Sequence, residues 1–284
     1  MLNNVRVFTF QQDNTKSKQN EDCYSVVTFK HTWSFAVADG VSRTQSTDQP
    51  KELVSSSIAA KTFCDNVGLL LANGKSLHKA FTRANAQIGN INKKAGVTRQ
   101  SVDYLCHDYL CCVGIAGVWM EEYPNKFVYG YIGDCSILVY DVNYFPVFLS
   151  ENTLGVLEQF REGWGFTNKN EKMMFWRKQL RNRAARFMTY GALTGESSAL
   201  SRVQCGYIDL KPSDTIVLFS DGIYPFIFDL NFRITVANLL KEPFWSEEKH
   251  EKMEEYMETE TRVLNKRGVG NLDDDRTLIA LSFS

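Results

Sequence analysis

Histidine is scarce in this chain: four in 284 residues, at 31, 78, 107 and 250, none at ligand spacing from another. That argues against a zinc site. The seven cysteines are an odd count with no CxxC, and only Cys111 and Cys112 are adjacent. A disulfide framework is therefore not expected; thiols used as small apolar residues fit a reducing, cytoplasmic setting. Excess charge is missing as well, because 32 Lys and Arg stand against 33 Asp and Glu for a net charge of −1. No global field calls for nucleic acid or an anionic membrane. No apolar run reaches the ~20 residues of a membrane helix, and the best, Ile216 to Leu230, is broken by Asp221, Gly222 and Pro225. The opening MLNNVRVFTFQQDN lacks a basic segment followed by an apolar one, so no signal peptide is expected. Prolines number six, and neither a Pro- or Ser-rich linker nor an internal repeat divides the chain. A single domain over residues 1–284 is expected.

What is present suffices for a large core: 44% apolar and 23% charged residues are ordinary globular values. Strands are predicted at Val5 to Phe10, Cys23 to Phe29 and Trp33 to Ala38. A helical pattern follows from Gln49 to about Leu71, and a clearer helix places Leu77, Phe81, Ala84, Ile88 and Ile91 on one face. Further strands are predicted near Tyr109 to Trp119, Phe127 to Ile132, Ser136 to Tyr140, Val203 to Leu210, Thr215 to Ser220 and Thr277 to Phe283. The run EEKHEKMEEYMETETRVLNKRG reads as an exposed helix ended by Gly268. Residues 150–186 are weakly patterned and read as a surface insertion, partly helical. Strands bracketing helices in this order indicate an α+β fold, with sheets packed face to face and helices outside.

Acidic residues recur at the ends of apolar strands. Asp39 follows SFAVA, Asp221 follows IVLFS, Asp134 ends FVYGYIG, Asp273 to Asp275 precede TLIALSF, and Glu21 and Asp22 open another strand. A lone Asp-Gly is usually a turn. Gathering so many carboxylates in one place, however, is costly unless cations neutralise them. Hard oxygen donors without His or thiolate suit Mg2+ or Mn2+, and the glycine after Asp39 would let a backbone carbonyl approach an ion.

In that order the motifs resemble the metal-dependent protein phosphatases of type 2C, also called PPM, over essentially the whole chain. NEDCY (20–24) is similar to the family's opening acidic motif, and FAVADGV (35–41) to its first strand-DG motif. YGYIGDCSILVY (129–140) is similar to its GDS strand pair, RFMTYGALTGE (186–196) to the segment before the second DG in bacterial-type members, and LFSDGIYPFI (218–227) to the second DG itself. DDDRTLIAL resembles the terminal D-[DN]-x-T signature, aligning Asp274 and Thr277.

The resemblance implies a four-layer α-β-β-α sandwich with two metals, Mg2+ or Mn2+, at one end of the sheets. Carried over, Asp39 bridges the metals and the Gly40 carbonyl binds one. Asp221 and Asp274 ligate the other, Glu21 and Asp22 hold metal-bound waters, and Asp134 serves a third, weaker site. The implied reaction is hydrolysis of phosphoserine and phosphothreonine in proteins, by in-line attack of a bridging water, opposing a Ser/Thr kinase. No cysteine carries the downstream arginine of a tyrosine-phosphatase loop.

The chain departs from the family at the phosphate. Where members carry an arginine, five residues before the motif aspartate, stands Ser17, flanked by Lys16 and Lys18. Lys18 offers a point charge without arginine's bidentate fork, and Arg43, just past the DG, is the other candidate. Val-Ser replaces the His-Gly-Gly of many eukaryotic members, removing a histidine general acid. These changes leave open an alternative: a catalytically weak phosphatase-like module that binds or regulates phosphorylated partners. In the insertion, Trp164, Phe166, Phe175 and Trp176 lie among Arg177, Lys178, Arg181, Arg183 and Arg186. That mixture can stack nucleic-acid bases, but the favoured expectation is a flap whose aromatics dock on the domain and whose arginines select substrates.

Overall fold

Alternation along the third strand explains the layering. In β3 (Thr32–Gly40), Phe35 and Val37 point into one apolar cluster while Ala36 and Ala38 point into another, the period-2 consequence of a pleated strand covered on both faces. The structure, a computed structural model, describes residues 5–13, 20–41, 55–159, 165–166, 168–183, 189–242, 247–269 and 272–283.

Among the described residues two five-stranded antiparallel sheets face each other. One runs β2 (Asp22–Phe29), β3, β4 (Cys112–Met120), β5 (Lys126–Ile132), β8 (Gln204–Asp209). The other runs β1 (Val5–Gln12), β10 (Arg276–Phe283), β9 (Thr215–Phe219), β6 (Ser136–Tyr140), β7 (Pro146–Leu149). Between them lies a cluster containing Phe35, Ile115, Trp119, Phe127, Ile137, Leu218 and Ile279. The outer face of the first sheet is covered by α1 (Ser57–Ala72) and α2 (Leu77–Lys94), through Phe63, Val67, Phe81 and Ile88. The outer face of the second is covered by α5 (Leu230–Lys241) and α6 (Glu247–Lys266), through Phe232, Val236, Met253 and Met257. This is the expected four-layer α-β-β-α sandwich.

Local chemistry sets the helices. Ser76 caps α2 by accepting from the Lys79 N–H, and Asp229 caps α5 by accepting from Asn231. Gly268 ends α6 with φ of 76°, as predicted. The expected helix from Gln49 begins later, at Ser57, and residues 49–54 lie outside the described residues. On α2 the predicted apolar face is right but incomplete, because Asn85 and Asn92 are also buried.

The insertion is partly helical: α3 (Thr153–Gln159), then α4 (Lys169–Met174) running into a wider π turn at Phe175–Leu180. Its aromatics do dock, with Trp176 lying 5.9 Å from the Tyr190 ring and Phe175 lying 5.2 Å from Phe166; Trp164 and Arg186 are outside the described residues. The expectation that Arg181 presents charge to a substrate is corrected. Arg181 is 2% exposed, and its guanidinium donates to both oxygens of Asp108 at 2.9 and 2.6 Å. Arg177 joins the same carboxylate at 3.3 Å, so Asp108, in the segment before β4, absorbs this charge inside the protein.

Candidate functional site

Strand parity carries the first acidic residues to one place. Asp39 shares the inter-sheet face with Phe35 and Val37, and the ladder sets Asp22 directly opposite it. Like charges opposed across a ladder repel, so hydrophobic pairing alone does not account for this register. Glu21, one residue earlier, is bound at both ends. Its carbonyl accepts from the Gly40 N–H at 3.0 Å, and its carboxylate accepts from the Ser56 hydroxyl at the start of α1. A carboxylate there also meets the positive end of the helix dipole.

The opposite sheet brings the rest. Ser220, 0% exposed at the end of β9, donates to Asp22 Oδ2 at 2.7 Å and accepts from the Thr277 N–H at 3.0 Å. One hydroxyl thus ties the two sheets together at the acidic end. Asp275 reaches across as well, accepting from the Glu21 N–H at 2.7 Å. Asp221 opens a short 3-10 turn, Asp221–Ile223. Asp134 sits in the β5–β6 turn after Gly133, whose φ is +87°.

The two Asp-Gly glycines are explained by close packing. A Cβ at Gly40 would stand 2.5 Å from the Ser56 backbone, and one at Gly222 would stand 2.0 Å from the Asp275 carbonyl. Each glycine lets another segment of the acidic end approach the aspartate before it.

Electrostatics show that the carboxylates share one space. Asp39 is held well above the usual carboxylate range by desolvation, then by the charges of Asp221, Asp22, Asp134 and Asp274. Asp221 is raised likewise, by desolvation and then by Asp134, Asp274 and Asp22. Asp22 is pushed up to about 7, chiefly by burial, with Ser220 and Thr277 opposing and Asp275 and Asp274 adding to the rise. Asp39, Asp221 and Asp274 are half-buried, with part of their surface open to solvent. Such a set either takes up protons or holds cations, and its all-oxygen chemistry fits Mg2+ or Mn2+. Among the described residues, no three of His, Cys, Asp or Glu stand in a geometry that would itself hold an ion.

Of the predicted residues, Glu21, Asp22, Asp39, Gly40, Asp134, Asp221 and Asp274 therefore come together, whereas Lys18 and Arg43 lie outside the described residues. Sequence reasoning missed Ser56, Ser220, Gly222 and Asp275 as organisers. Ser220 and Gly222 flank Asp221 and could have been suspected from that alone, while Ser56 reads as an ordinary helix cap. Two cavities among the described residues, of about 910 and 790 Å3, are elsewhere. A smaller one of about 270 Å3 touches the cluster at Asp274.

Comparison with known proteins bears on the family and the fold. A family profile described as Protein phosphatase 2C matches residues 12–273. No curated protein sequence matches significantly. Among solved structures, the serine/threonine phosphatase Stp1 from Staphylococcus aureus is 13% identical, with 100% of this chain and 96% of that one covered and a TM-score of 0.60. The catalytic domain of the serine threonine protein phosphatase PstP, in complex with 2 manganese ions, is 16% identical over 98% of each chain, TM-score 0.57. RsbX in complex with magnesium is 12% identical over 99% of this chain and 96% of that one, TM-score 0.55. Among the described residues no helix is long and apolar enough to cross a membrane.

Proposed function

The chain belongs to the protein phosphatase 2C family, a family of phosphoprotein hydrolases, and on that premise we propose that residues 1–284 form one metal-dependent phosphatase domain acting on phosphoserine and phosphothreonine in proteins. The observation that carries the reading is the gathering of Asp22, Asp39, Asp134, Asp221 and Asp274 within mutual electrostatic reach at one end of the sandwich. Asp39, Asp221, Asp274 and the Gly40 carbonyl would hold two divalent cations, with Glu21 and Asp22 acting through water and Asp134 at a weaker third position. When bound, such cations neutralise phosphate oxygens and make a water acidic enough to attack phosphorus.

The chain's own work is preorganisation. Ser220 fixes the orientation of Asp22, Asp275 fixes the β2 start through the Glu21 N–H, and Ser56 fixes the Glu21 carboxylate. Half-burial of Asp39 and Asp221 leaves an open side from which a phosphate can enter. The site residues include no cysteine, and the two serines are fully buried with their hydroxyls bound to Asp22 and Glu21, so attack by water without a phosphoenzyme is the route they support. A Ser/Thr kinase must supply such a substrate.

The test is hydrolysis of p-nitrophenyl phosphate with Mn2+, Mg2+ or chelator. Turnover that requires metal and falls at least ~100-fold in Asp39→Asn, as loss of charge stabilisation at the reacting centre predicts, is the expected result. Folded wild type showing neither turnover nor metal-binding heat with either ion would overturn the reading.

A further inference from the structure

The cavity of about 790 Å3 lies between the end of α2, the 97–100 loop, residues 182–183 and residues 194–198. Its floor is a built polar surface. Asn92, 1% exposed, donates to the carbonyls of Leu110 and Thr194 and accepts from the Leu110 N–H. Asn85 accepts from Gly195 and donates to the Glu196 carbonyl. Gly89 and Gly195 meet so closely that a Cβ on Gly195 would stand 2.2 Å from the Gly89 Cα. Asn182 donates to Ala192, Thr194 and Glu196. The floor therefore cannot collapse to fill the space.

Its rim is cationic. Lys93, Arg99 and Arg183 come from three separate segments; Lys93 and Arg99 are exposed, while Arg183 is held by its bonds to the Lys178 carbonyl and the Tyr104 hydroxyl. The one carboxylate among the described lining residues, Glu196, already accepts from Thr194 and Asn182 through Oε2. Tyr109 also lines the space, and burial keeps its phenol protonated, a donor at neutral pH.

Strand pairing relates the cavity to the acidic site. Thr194, which lines it, follows Leu193; Leu193 bridges Cys112, and Cys112 pairs with Gly40 on its other side, so the Leu193 and Gly40 backbones are two strand spacings apart, about 10 Å. An extended peptide rises about 3.3 Å per residue. Resting on the phosphatase reading above, we propose that this cavity docks an anionic side chain, carboxylate or phosphate, that the substrate protein carries about three to five residues from the hydrolysed phosphoserine or phosphothreonine.

The experiment compares phosphothreonine peptides bearing aspartates, a second phosphoserine, or alanines three to five residues away on either side. Wild type and Lys93→Gln/Arg99→Gln are assayed, with p-nitrophenyl phosphate as the control. The expected result is a kcat/KM at least ~5-fold higher for an anionic peptide, expressed in KM and lost in the variant, while aryl phosphate turnover is unchanged; a few charge-assisted contacts are worth that much. Whether the aspartate or the phosphoserine peptide gains more identifies the anion. Normal aryl phosphate turnover with no anionic preference, or with a preference the variant keeps, overturns the proposal. If aryl phosphate is not hydrolysed at all, the phosphatase reading fails. Fluorescence anisotropy with a labelled acidic peptide lacking phosphothreonine then decides the pocket alone: binding that the variant loses supports it, and no binding overturns it.

Discussion

Ser220 shows how much a single hydroxyl decides. It is fully buried, donates to Asp22 and accepts from Thr277, so Ser220→Ala leaves a buried carboxylate oxygen and a backbone N–H without their partner. Such orphaned groups cost about 1–3 kcal/mol. Urea unfolding should show a loss of that size. Mn2+ affinity by calorimetry should also weaken, because Asp22 is no longer held toward Asp39. A stability loss with unchanged Mn2+ affinity would make Ser220 a purely structural tie. Gly40 and Gly222 teach a related lesson at this scale. Their neighbours are backbone atoms of Ser56 and Asp275, so the glycines serve the packing of the acidic end rather than a hairpin turn.

At the level of elements, the insertion is pinned by charge as much as by its aromatics. Asp108 receives Arg181 through two bonds and Arg177 through a third contact, and Arg181 also lies 5.8 Å from the Tyr104 and Tyr109 ring centroids. Breaking a buried pair from one side strands the other charge, at about 3–5 kcal/mol. Asp108→Ala should lose stability in that range by chemical denaturation, and Asp108→Leu combined with Arg181→Leu should recover part of it, since only Arg177, which keeps its bond to the Tyr104 carbonyl, then lacks the carboxylate. An exposed, dispensable flap would instead show less than about 0.5 kcal/mol in either variant. The same scale explains α2. Its asparagines face the core because they hold the 194–196 segment, so a helix that looks amphipathic in the ordinary way carries a polar seam along its buried side.

For the whole molecule, the acidic end stands against the stability of the sandwich. Repulsion and desolvation among Asp39, Asp221 and Asp22 oppose the folding that the three apolar layers drive. A cation that binds only the folded state stabilises it by about 2.7 kcal/mol at one hundred times its Kd. Adding Mn2+ should therefore raise the melting temperature, and chelation should reverse the gain. Asp39→Asn should melt higher than wild type in chelator and respond weakly to Mn2+. Equal melting temperatures with and without Mn2+ would show that no cation enters this site.

The sequence by itself determined that aspartates stand at the ends of apolar strands, and on which face. Period-2 alternation fixes the direction of Asp39 from Phe35 and Val37, and the ordered motifs sufficed for family and fold. Boundaries were less legible. β7 was missed because PVFL is short and lies on a sheet edge with its first two residues exposed, leaving little alternation to read. Only the tertiary structure decided which strand ends meet. Ser220, Ser56 and Asp275 matter through partners 198, 35 and 254 residues away, and no local pattern encodes those distances. The same holds for Arg181, whose exposure was expected from a basic run and whose burial is set by Asp108, 73 residues earlier. Local sequence specifies the direction of a side chain, whereas strand pairing and sheet packing specify what lies opposite it.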